Sequence, residues 1–460
     1  MIGLNIKNLK MKISIIGTFI VSIFAISCTK YVDIKPDKKM TVPQSFEDCD
    51  ALMDDRSTMN SRFPVGGEVA SDNYYLAEIN YNALTSIVDR DAYLWNPNTN
   101  FATNQWSSSY KAIMVANQVL EILNKLKRED DRTRYDRLKG EALFFRAYAL
   151  SQLAPVFAPT YRPESAEQTL GLVLRFSSAI DYVSVRSDLL KTYRQIVADL
   201  KEAVSLLPVD AIYKTRPTKL AAWATLSRIG LVISDFELAI SASKEVLNQG
   251  VGLLDYNTVN AAAANPFGRF NPEILFHAAT LTSVCLNPSV SKIDSMLYRS
   301  YLPNDLRKGI YFKNNNNGTY AFKGRYDGDI NAASFAGVGL DEVYLNYAEA
   351  LVRTNKLQEG LNVFNALMQT RWKTNTYVPF SSDVKESVLS KILEERRKSL
   401  IMRNLRWSDI RRLNSYGGNI NLKRIINGET YYLNAGDPRF TFLIPSGVME
   451  YAPEIIQNPR

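Results

Sequence analysis

Two segments combine aromatic rings with acids and amides in a way that suits recognition of sugars. The first covers residues 71–106 and the second covers residues 298–326, and both interleave Tyr, Phe or Trp with Asp, Asn and Arg. A flat aromatic ring buries the apolar face of a pyranose at a small cost in side-chain entropy, while polar neighbours bond the hydroxyls. The composition therefore indicates non-covalent binding of a polyhydroxylated ligand.

The acidic and histidine residues form no pattern typical of catalysis. His277 is the only histidine, and it lies in an alternating, strand-like run at residues 274–279. Triads that use histidine would depend on this residue, which we expect to be a hydrogen-bonded core residue. A glycoside hydrolase needs two carboxylates about 5–9.5 Å apart. Asp72, Asp89 and Asp91 supply carboxylates, but no spacing selects a pair, so we predict no catalytic residues.

The sequence also gives little support for a metal site. A single histidine excludes His-rich metal sites. Asp327-Gly-Asp329 offers oxygen ligands suited to calcium, but the other spaced acids of a calcium loop are missing. We interpret this tripeptide as a polar turn and predict neither a metal nor a cofactor.

Cys28 follows a segment with the composition of a secretory signal. Three lysines within residues 7–12 precede an uncharged, mostly apolar run at residues 13–27. This run is shorter than the roughly 20 residues that span a bilayer. A small residue before Cys28 resembles a bacterial lipoprotein cleavage site, although Ala25 stands where a larger aliphatic residue is usual. Met11 could also be the start, since the signal does not need residues 1–10.

We therefore predict a signal peptide at residues 1–27, lipidation of Cys28 and a lipid anchor for a body outside the cytoplasm. An ordinary secretory signal with an incidental cysteine is the alternative. The other cysteines, Cys49 and Cys285, could pair in an oxidising compartment or remain as buried thiols.

The charge balance argues against a nucleic-acid partner. Removing the three lysines of residues 1–27 from the 55 basic residues of the chain leaves 52, against 47 acidic residues, a net charge of +5. Spread over so long a body, this charge is nearly neutral. No nucleic-acid surface is predicted.

Helical periodicity dominates the body. The predicted helices cover residues 106–127, 135–153, 189–207, 217–231, 236–247, 342–353 and 357–371. Pro155 is expected to end the second helix and Pro217 to open the fourth, where a missing N–H costs nothing. The helix pairs resemble tetratricopeptide repeats with an irregular period. An ordinary helical domain is the alternative.

Segments rich in Asn, Gly and Pro separate the helix pairs. We predict a predominantly all-α body at residues 28–460, made of irregular tetratricopeptide-like hairpins with long loop-rich insertions. Its expected segments are 28–105 at the N-terminus, 106–255 with helical repeats, 256–340 as a loop-rich insertion, 341–413 with a repeat and further helices, and the tail 414–460. Binding surfaces usually lie on such insertions.

Six motifs in the same order resemble those of the SusD/RagB family of outer-membrane nutrient-binding lipoproteins from Bacteroidetes. They are YVDIKPD at 31–37, the stretch at 41–55, GEALFFRAY at 140–148, DEVYLNYAEA at 341–350, the arginine-rich stretch at 392–413 and the ending at 442–459. Gly339 and Arg403-Asn404 depart from common family patterns. These motifs suggest structural pairing of acids with arginines across packed helices.

The resemblance implies a tetratricopeptide-like scaffold that covers a SusC-like TonB-dependent transporter as a lid. Starch-binding members use acid, amide and tryptophan residues of the first aromatic-rich segment and aromatic residues of the second. By that resemblance the candidate ligand-binding residues are Asp72, Asn73, Trp95, Asn96, Tyr298, Tyr301, Tyr311 and Tyr320. Trp106 and Tyr110, which begin a helix, are expected in the core.

The main hypothesis is a surface lipoprotein of the outer membrane that captures an oligosaccharide or polysaccharide and delivers it to the transporter without catalysis. Peptide delivery to such a transporter is the nearest alternative. A helical glycoside hydrolase and a protein-interaction scaffold are the alternatives from other classes. The sequence identifies neither the glycan nor the transporter.

Overall fold

The computed structural model describes residues 43–211 and 213–460. Its helices are α1 (Phe46–Asp54), α2 (Arg56–Met59), α3 (Gly66–Ala70), α4 (Glu78–Asn82), α5 (Ile87–Tyr93), α6 (Asn104–Leu123), α7 (Arg132–Phe157), α8 (Leu189–Leu206), α9 (Lys219–Val232), α10 (Phe236–Leu247), α11 (Ser295–Ser300), α12 (Leu306–Tyr311), α13 (Leu340–Arg353), α14 (Leu357–Gln369), α15 (Lys385–Ser399), α16 (Arg406–Ser415) and α17 (Ser446–Tyr451). Its strands are β1 (Tyr74–Leu76), β2 (Leu170–Val173), β3 (Arg186–Asp188), β4 (Ile274–Phe276), β5 (Ser291–Ile293), β6 (Phe312–Asn314), β7 (Tyr320–Phe322), β8 (Val338–Gly339), β9 (Leu422–Ile426) and β10 (Glu429–Leu433). The predicted signal at residues 1–27 and Cys28 lie outside the described residues.

The predominantly helical architecture confirms the predicted fold class. Within the described ranges, no helix combines the length and apolar character needed to cross a bilayer. The strands form five two-stranded antiparallel ladders: β1–β5, β2–β3, β4–β8, β6–β7 and β9–β10. The segment boundaries given above remain a prediction.

The longest helices, α6 and α7, pack against each other, and α7 also packs against α8. The prediction that Pro155 ends the second helix was wrong, because α7 continues to Phe157. Pro155 lies in the last turn, where its missing N–H costs little more than one helical hydrogen bond. The Arg411 guanidinium donates to the carbonyls of Pro155 and Ala158 and places a positive charge at the carboxyl end of the helix.

Two further helix pairs, α9–α10 and α13–α14, are held at close range by glycines. A Cβ at Gly230 of α9 would lie 2.7 Å from the backbone nitrogen of Ala239 and 2.9 Å from its Cβ. A Cβ at Gly360 of α14 would lie 2.7 Å from Cγ2 of Val352 on α13. Both hairpins therefore pack through small residues, as the close helix pairs of tetratricopeptide-like repeats require.

Buried ion pairs join the helices of the C-terminal motifs to the remaining scaffold. Both terminal guanidinium nitrogens of Arg412 contact the Glu349 carboxylate, at 2.6 and 2.8 Å. Arg403 donates to Asp341 at 2.7 and 2.8 Å. Each of these four side chains is at most 3% exposed. The arginine-rich motif is thus structural, because removing one partner would leave a buried charge uncompensated.

The last residues of the chain close onto its earlier part. The Asn458 side-chain amide donates to the carbonyls of Phe157 at 2.9 Å and Phe442 at 2.7 Å. Arg460 donates through Nε to the carbonyl of Pro97 at 2.6 Å. The core therefore contains side chains from both ends of residues 45–460, which form one compact unit.

Cys49 and Cys285 are free and buried, so the interpretation as unpaired thiols is confirmed and a disulfide is not formed. Burial raises the pKa of each thiol to about 12. Both side chains belong to the main hydrophobic core. They act there as small apolar residues.

Candidate ligand-binding site

The β1–β5 ladder joins the first aromatic-rich segment to residues that closely precede the second. Tyr75 of β1 faces Lys292 of β5 in the antiparallel register. The N–H of Asp294 also donates to the carbonyl of Asn73 at 3.0 Å. Flanking residues of both strands are buried while Tyr75 and Lys292 are half-buried, as expected for side chains that alternate between core and solvent. Residues some 220 positions apart in sequence thus share one surface.

Tyr298 of α11 and Tyr320 of β7 form a stacked pair on this part of the molecule, here called the tyrosine platform. Their ring centroids lie 3.4 Å apart and their planes differ by 15°. The ring of Phe312 meets Tyr298 edge-on, with centroids 5.4 Å apart. Lys308 places its Nζ 4.9 Å from the centroid of Tyr298. Because Tyr320 occupies one face of Tyr298, the ammonium must take the other.

Tyr320 is consequently the member of the platform that can stack on a ligand. Tyr298 is its only ring neighbour among the described residues, and its side chain is half-buried. Burial and the neighbouring hydroxyl of Tyr320 raise the pKa of Tyr298 to about 12. Tyr298 therefore stays uncharged at neutral pH, so it keeps an O–H able to donate a hydrogen bond.

An amide-rich turn stands beside Tyr320. Asn314 of β6 pairs with Tyr320 of β7, and the intervening turn contains three further asparagines and Gly318. Gly318 adopts a φ of +79°, which a side chain would strain. The amide of Asn315 donates to Oγ1 of Thr319 at 3.0 Å, and this contact helps to hold the turn. Exposed amides at the rim of an aromatic face are suited to bond sugar hydroxyls.

Asp72 precedes β1 and is held by two arginines. Nε and Nη2 of Arg406 donate to its two carboxylate oxygens at 2.7 and 2.9 Å. Nη2 of Arg397 lies 3.2 Å from the same carboxylate and donates to the Asp72 carbonyl at 2.7 Å. Burial raises the pKa of the Asp72 carboxyl, but the arginine charges outweigh burial and hold that pKa well below its usual range. Asp72 thus ties the first segment to α15 and α16.

A cleft of about 430 Å³ borders this ion pair. It lies between α11, the helix that carries Tyr298, and α15. Its lining includes Met296, Ser300, Glu394, Arg397 and Arg406. Its volume falls within the range of small-molecule sites.

Two predicted residues of the first segment are buried in the core. Trp95 is 1% exposed and donates its indole N–H to the carbonyl of Ala70 at 2.9 Å. Asn73 is 1% exposed and donates to the Glu68 carboxylate at 2.9 Å. Neither side chain offers surface to a ligand, which corrects their assignment as contact residues. Burial raises the pKa of Glu68, whose supporting role the sequence did not reveal.

Two predicted residues of the second segment are buried as well. Tyr301 is fully buried, and its hydroxyl donates to the carbonyl of Lys398 at 2.8 Å. Tyr311 is 2% exposed, and its hydroxyl lies 3.0 Å from that of Tyr256. Both support the fold beneath the platform, and their assignment as ligand contacts is corrected in the same way.

Asn96 is exposed, but its contacts are local. Its amide donates to the Asp91 carboxylate at 3.0 Å, and its side-chain oxygen accepts the N–H of Asn98 at 2.9 Å. No contact among the described residues joins it to Tyr298 or Tyr320. Among the eight candidates in the described residues, only Tyr298 and Tyr320 bring their rings into contact with each other.

The only histidine belongs to a charged group here called the histidine–aspartate cluster, consisting of His277, Asp327, Asp329 and Arg269. Nε2 of His277 lies 2.8 Å from Oδ2 of Asp327, and the imidazole is buried, as expected. The N–H of Asp329 donates to Asp327 at 3.1 Å within a turn, which agrees with a polar turn. The Arg269 guanidinium lies 3.4 Å from Asp327 and 3.3 Å from Asp329. Arg269 therefore stands where a metal ion would otherwise balance these acids.

A larger cleft of about 530 Å³ lies elsewhere, and sequence reasoning did not predict it. Trp106 and Tyr110 of α6 stack in its wall with centroids 4.8 Å apart. Tyr451 of α17 also lines this cleft and is 91% exposed. The spacing of Trp106 and Tyr110, one helical turn apart, was the available signal. Their interpretation as core residues agrees with Trp106, which is 5% exposed, but it does not reveal the cleft.

Comparison with known proteins extends these observations. A family model described as "Starch-binding associating with outer membrane" matches residues 30–231, and a SusD family model matches residues 307–459. No curated protein matches the chain.

Several solved structures share the fold. A SusD superfamily protein from Bacteroides thetaiotaomicron is 21% identical with a TM-score of 0.71, over 90% of this chain and 100% of that one. One from Bacteroides fragilis is 19% identical with a TM-score of 0.72, over 90% and 100% of the chains. A SusD-like carbohydrate binding protein from Bacteroides vulgatus is 16% identical with a TM-score of 0.66, over 90% and 98%. Together with the two family models, the ordered motifs show that this chain belongs to the SusD/RagB family.

Proposed function

We propose that the chain is a surface lipoprotein of the outer membrane that captures an oligosaccharide or polysaccharide and delivers it to a SusC-like TonB-dependent transporter without chemical change. The observation that carries the proposal is the tyrosine platform beside an amide-rich turn. The family model described as starch-binding and associating with the outer membrane supports the same function.

The contacts of the platform favour binding of a sugar. Tyr298 is covered on one face by Tyr320 and on the other by Lys308, so the pair is rigid before any ligand arrives. A rigid ring loses little conformational entropy when a ligand stacks on it. The amides at 314–317, exposed or half-buried, supply donors and acceptors at the edge of Tyr320. In sugar-binding sites an aromatic ring likewise binds the apolar face of the sugar, and amides bind its hydroxyls.

The carboxylates close to the platform are already engaged. Asp72 binds Arg397 and Arg406, and Asp305 is buried against Arg307 at 2.7 Å. A hydrolase would need an acid and a second carboxylate free to act on the bound sugar. These pairings support binding without cleavage.

The decisive experiment measures glycan affinity in matched tyrosine variants. The purified full-length chain is screened by calorimetry against oligosaccharides, polysaccharides and peptides, and the products are analysed for cleavage. We expect Tyr320→Ala to weaken binding about 5- to 30-fold, which corresponds to about 1–2 kcal/mol for a lost aromatic contact. Tyr451→Ala, in the 530 Å³ cleft, is the control and should leave the affinity unchanged.

Other outcomes redirect the proposal. If Tyr451→Ala weakens binding and Tyr320→Ala does not, the ligand occupies the larger cleft. Binding to peptides alone would favour peptide delivery, and released oligosaccharide products would favour a hydrolase. All of these results are measured on the same set of proteins.

The anchor and the transporter are tested separately. Metabolic labelling with a radioactive fatty acid should mark the chain, and Cys28→Ser should abolish the label. Affinity purification from outer membranes should recover a TonB-dependent transporter in stoichiometric amount. A labelled Cys28→Ser chain, or a chain recovered alone, would contradict the corresponding part of the proposal.

A further inference from the structure

A stretch of sequence that contains both tyrosines of the platform carries a net positive charge. Residues 292–325 contain seven cations and two acids, a net charge of +5. Residues 28–460 carry the same net charge of +5, since 52 basic residues face 47 acids. The rest of the body is therefore neutral in sum. A local excess of this size calls for a partner with negative charge.

We propose that the captured glycan is anionic, carrying carboxylate or sulfate groups. This inference rests on the proposed function and specifies its ligand class. The platform supplies the ring, and the surrounding cations select the charged polysaccharide over its neutral counterpart.

Most of these cations form no ion pair with an acid, although the charges of Asp327 and Asp329 act on Arg325. Arg307 is the exception, because it is buried against Asp305 and Glu395. No carboxylate of the described residues lies within 4.0 Å of the other six, which are Lys292, Arg299, Lys308, Lys313, Lys323 and Arg325. Several of them are instead tied to backbone carbonyls. Lys323 donates to the carbonyl of Ala261 at 2.6 Å, and Lys308 donates to that of Tyr301 at 2.8 Å.

Some of these charges lie directly at the platform. Nζ of Lys308 is 4.9 Å from the centre of the Tyr298 ring. Arg299 follows Tyr298 in α11 and is exposed. Lys313 is exposed and directly precedes Asn314, the strand partner of Tyr320. Anionic groups along a bound chain would therefore meet cations on several sides.

Lys292 adds a charge from the neighbouring ladder. Its side chain is half-buried and points to the same side as Tyr75, while β5 packs against β7. Burial lowers the pKa of Lys323, as expected for an ammonium with no compensating acid. Unpaired, partly desolvated cations repel one another, and an anionic ligand relieves that repulsion.

A sugar polymer fits these observations better than a bilayer surface. A membrane would be attracted by the cations alone, whereas the turn with four asparagines supplies the donors and acceptors that sugar hydroxyls need. A repeating acidic sugar presents both ring faces and regularly spaced charges. Anionic vesicles therefore serve as the competing ligand in the test.

The test compares polymers that differ only in charge. Affinity of the full-length chain is measured for polygalacturonate against its methyl ester, and for dextran sulfate against dextran. We expect at least tenfold tighter binding of the charged member in one pair, and that pair distinguishes carboxylate from sulfate. The affinity should fall as salt increases, because partly exposed charges are screened.

Variants that remove positive charges show which cations raise the affinity for the charged polymer. Lys292→Gln, Arg299→Gln and Lys313→Gln combined should weaken binding to the charged polymer about tenfold while leaving its neutral counterpart unaffected. The matched control removes three exposed cations elsewhere, with Lys125→Gln, Lys127→Gln and Lys201→Gln. Equal losses in both triple variants would overturn the inference, as would equal affinity for charged and neutral polymers.

The failures of the two proposals look different. If neutral glycans bind as tightly as charged ones and Tyr320→Ala weakens them, the capture function stands and the anionic preference is refuted. If no glycan of the wider panel binds, both are refuted. If anionic vesicles bind as tightly as the charged polymer, and equally well before and after Tyr320→Ala, the anionic preference is refuted and the glycan panel alone decides the capture function.

Discussion

Replacing Asp72 separates a structural role from a role in ligand contact. In the folded chain its carboxylate is held by Arg406 at 2.7 and 2.9 Å and by Arg397 at 3.2 Å. Asp72→Asn keeps the size of the side chain but removes the negative charge, which leaves two guanidinium groups facing each other. We expect a loss of stability and little direct loss of glycan affinity.

The magnitude follows from the exposure of the pair. Breaking a fully buried pair costs about 3–5 kcal/mol, whereas an exposed pair is worth about 0–1 kcal/mol. The Asp72 side chain is 26% exposed, so we expect the free energy of unfolding to fall by about 2 kcal/mol. Since the unfolding entropy is about 2.1 cal/mol/K per residue, a body of roughly 400 residues should lose about 2 °C in Tm.

The pH dependence gives a second readout. The pKa of Asp72 is lower in the folded state than in the unfolded state. Its contribution to stability is therefore complete above the unfolded pKa of about 3.9 and is lost as the pH falls through the lower folded value. The difference between wild type and Asp72→Asn should be full at pH 7 and should shrink below about pH 4.

Thermal and denaturant unfolding, followed by circular dichroism, measure the loss. The control is Asp181→Asn, an exposed acid without an ion pair among the described residues, which should leave the Tm unchanged. An Asp72→Asn chain with wild-type stability and abolished glycan binding would refute the reasoning. Asp72 would then be the ligand contact that the sequence suggested.

Three further outcomes are expected. Gly230→Ala should destabilise the chain by about 1–3 kcal/mol, because its Cβ would overlap the next helix. The control is Gly252→Ala, whose Cβ would have no atom within 4 Å and which should leave the stability unchanged. Equal Tm values for the two variants would contradict this prediction. Cys49 and Cys285 should resist alkylation at pH 8 and react only in denaturant, since burial raises their thiol pKa to about 12; peptide mass spectrometry checks this, and labelling in the native protein would argue against it. Arg269→Ala should allow Zn²⁺ to bind at the histidine–aspartate cluster, whereas the wild-type protein should bind none there. Calorimetry measures the binding. Equal zinc binding by both proteins would show that the Arg269 guanidinium is not the cation that balances these acids.

The helical scaffold was largely predictable because its signals are local. Helix pairs show apolar positions at helical spacing and small residues where two helices touch, and both features are properties of short segments. The boundaries were less secure. Pro155 does not end its helix, since a proline in the last turn disturbs little more than one hydrogen bond and Arg411 binds the free carbonyls.

The candidate site was only partly predictable because exposure depends on distant partners. Trp95 lies in a segment with the composition of a sugar site, but the guanidinium of Arg424 lies 4.7 Å from its ring. That contact spans more than 300 residues of chain, so no local pattern reports it. Tyr320 remains a predicted ligand contact, because it lies in a short hairpin whose strand alternates half-buried and buried side chains.

The contacts of residues 458–460 with the early part of the chain have a consequence for the order in which the protein folds. Asn458 and Arg460 complete contacts with Phe157 and Pro97, which are made hundreds of residues earlier. Contacts between residues so far apart in sequence form slowly, because closing a long loop costs chain entropy before the contact is gained. A chain without residues 458–460 would keep its helix-forming segments and still lack the contacts of Asn458 and Arg460 with Phe157 and Pro97. The contacts of Asn458 and Arg460 are therefore expected to form late in folding, after the helices that they join.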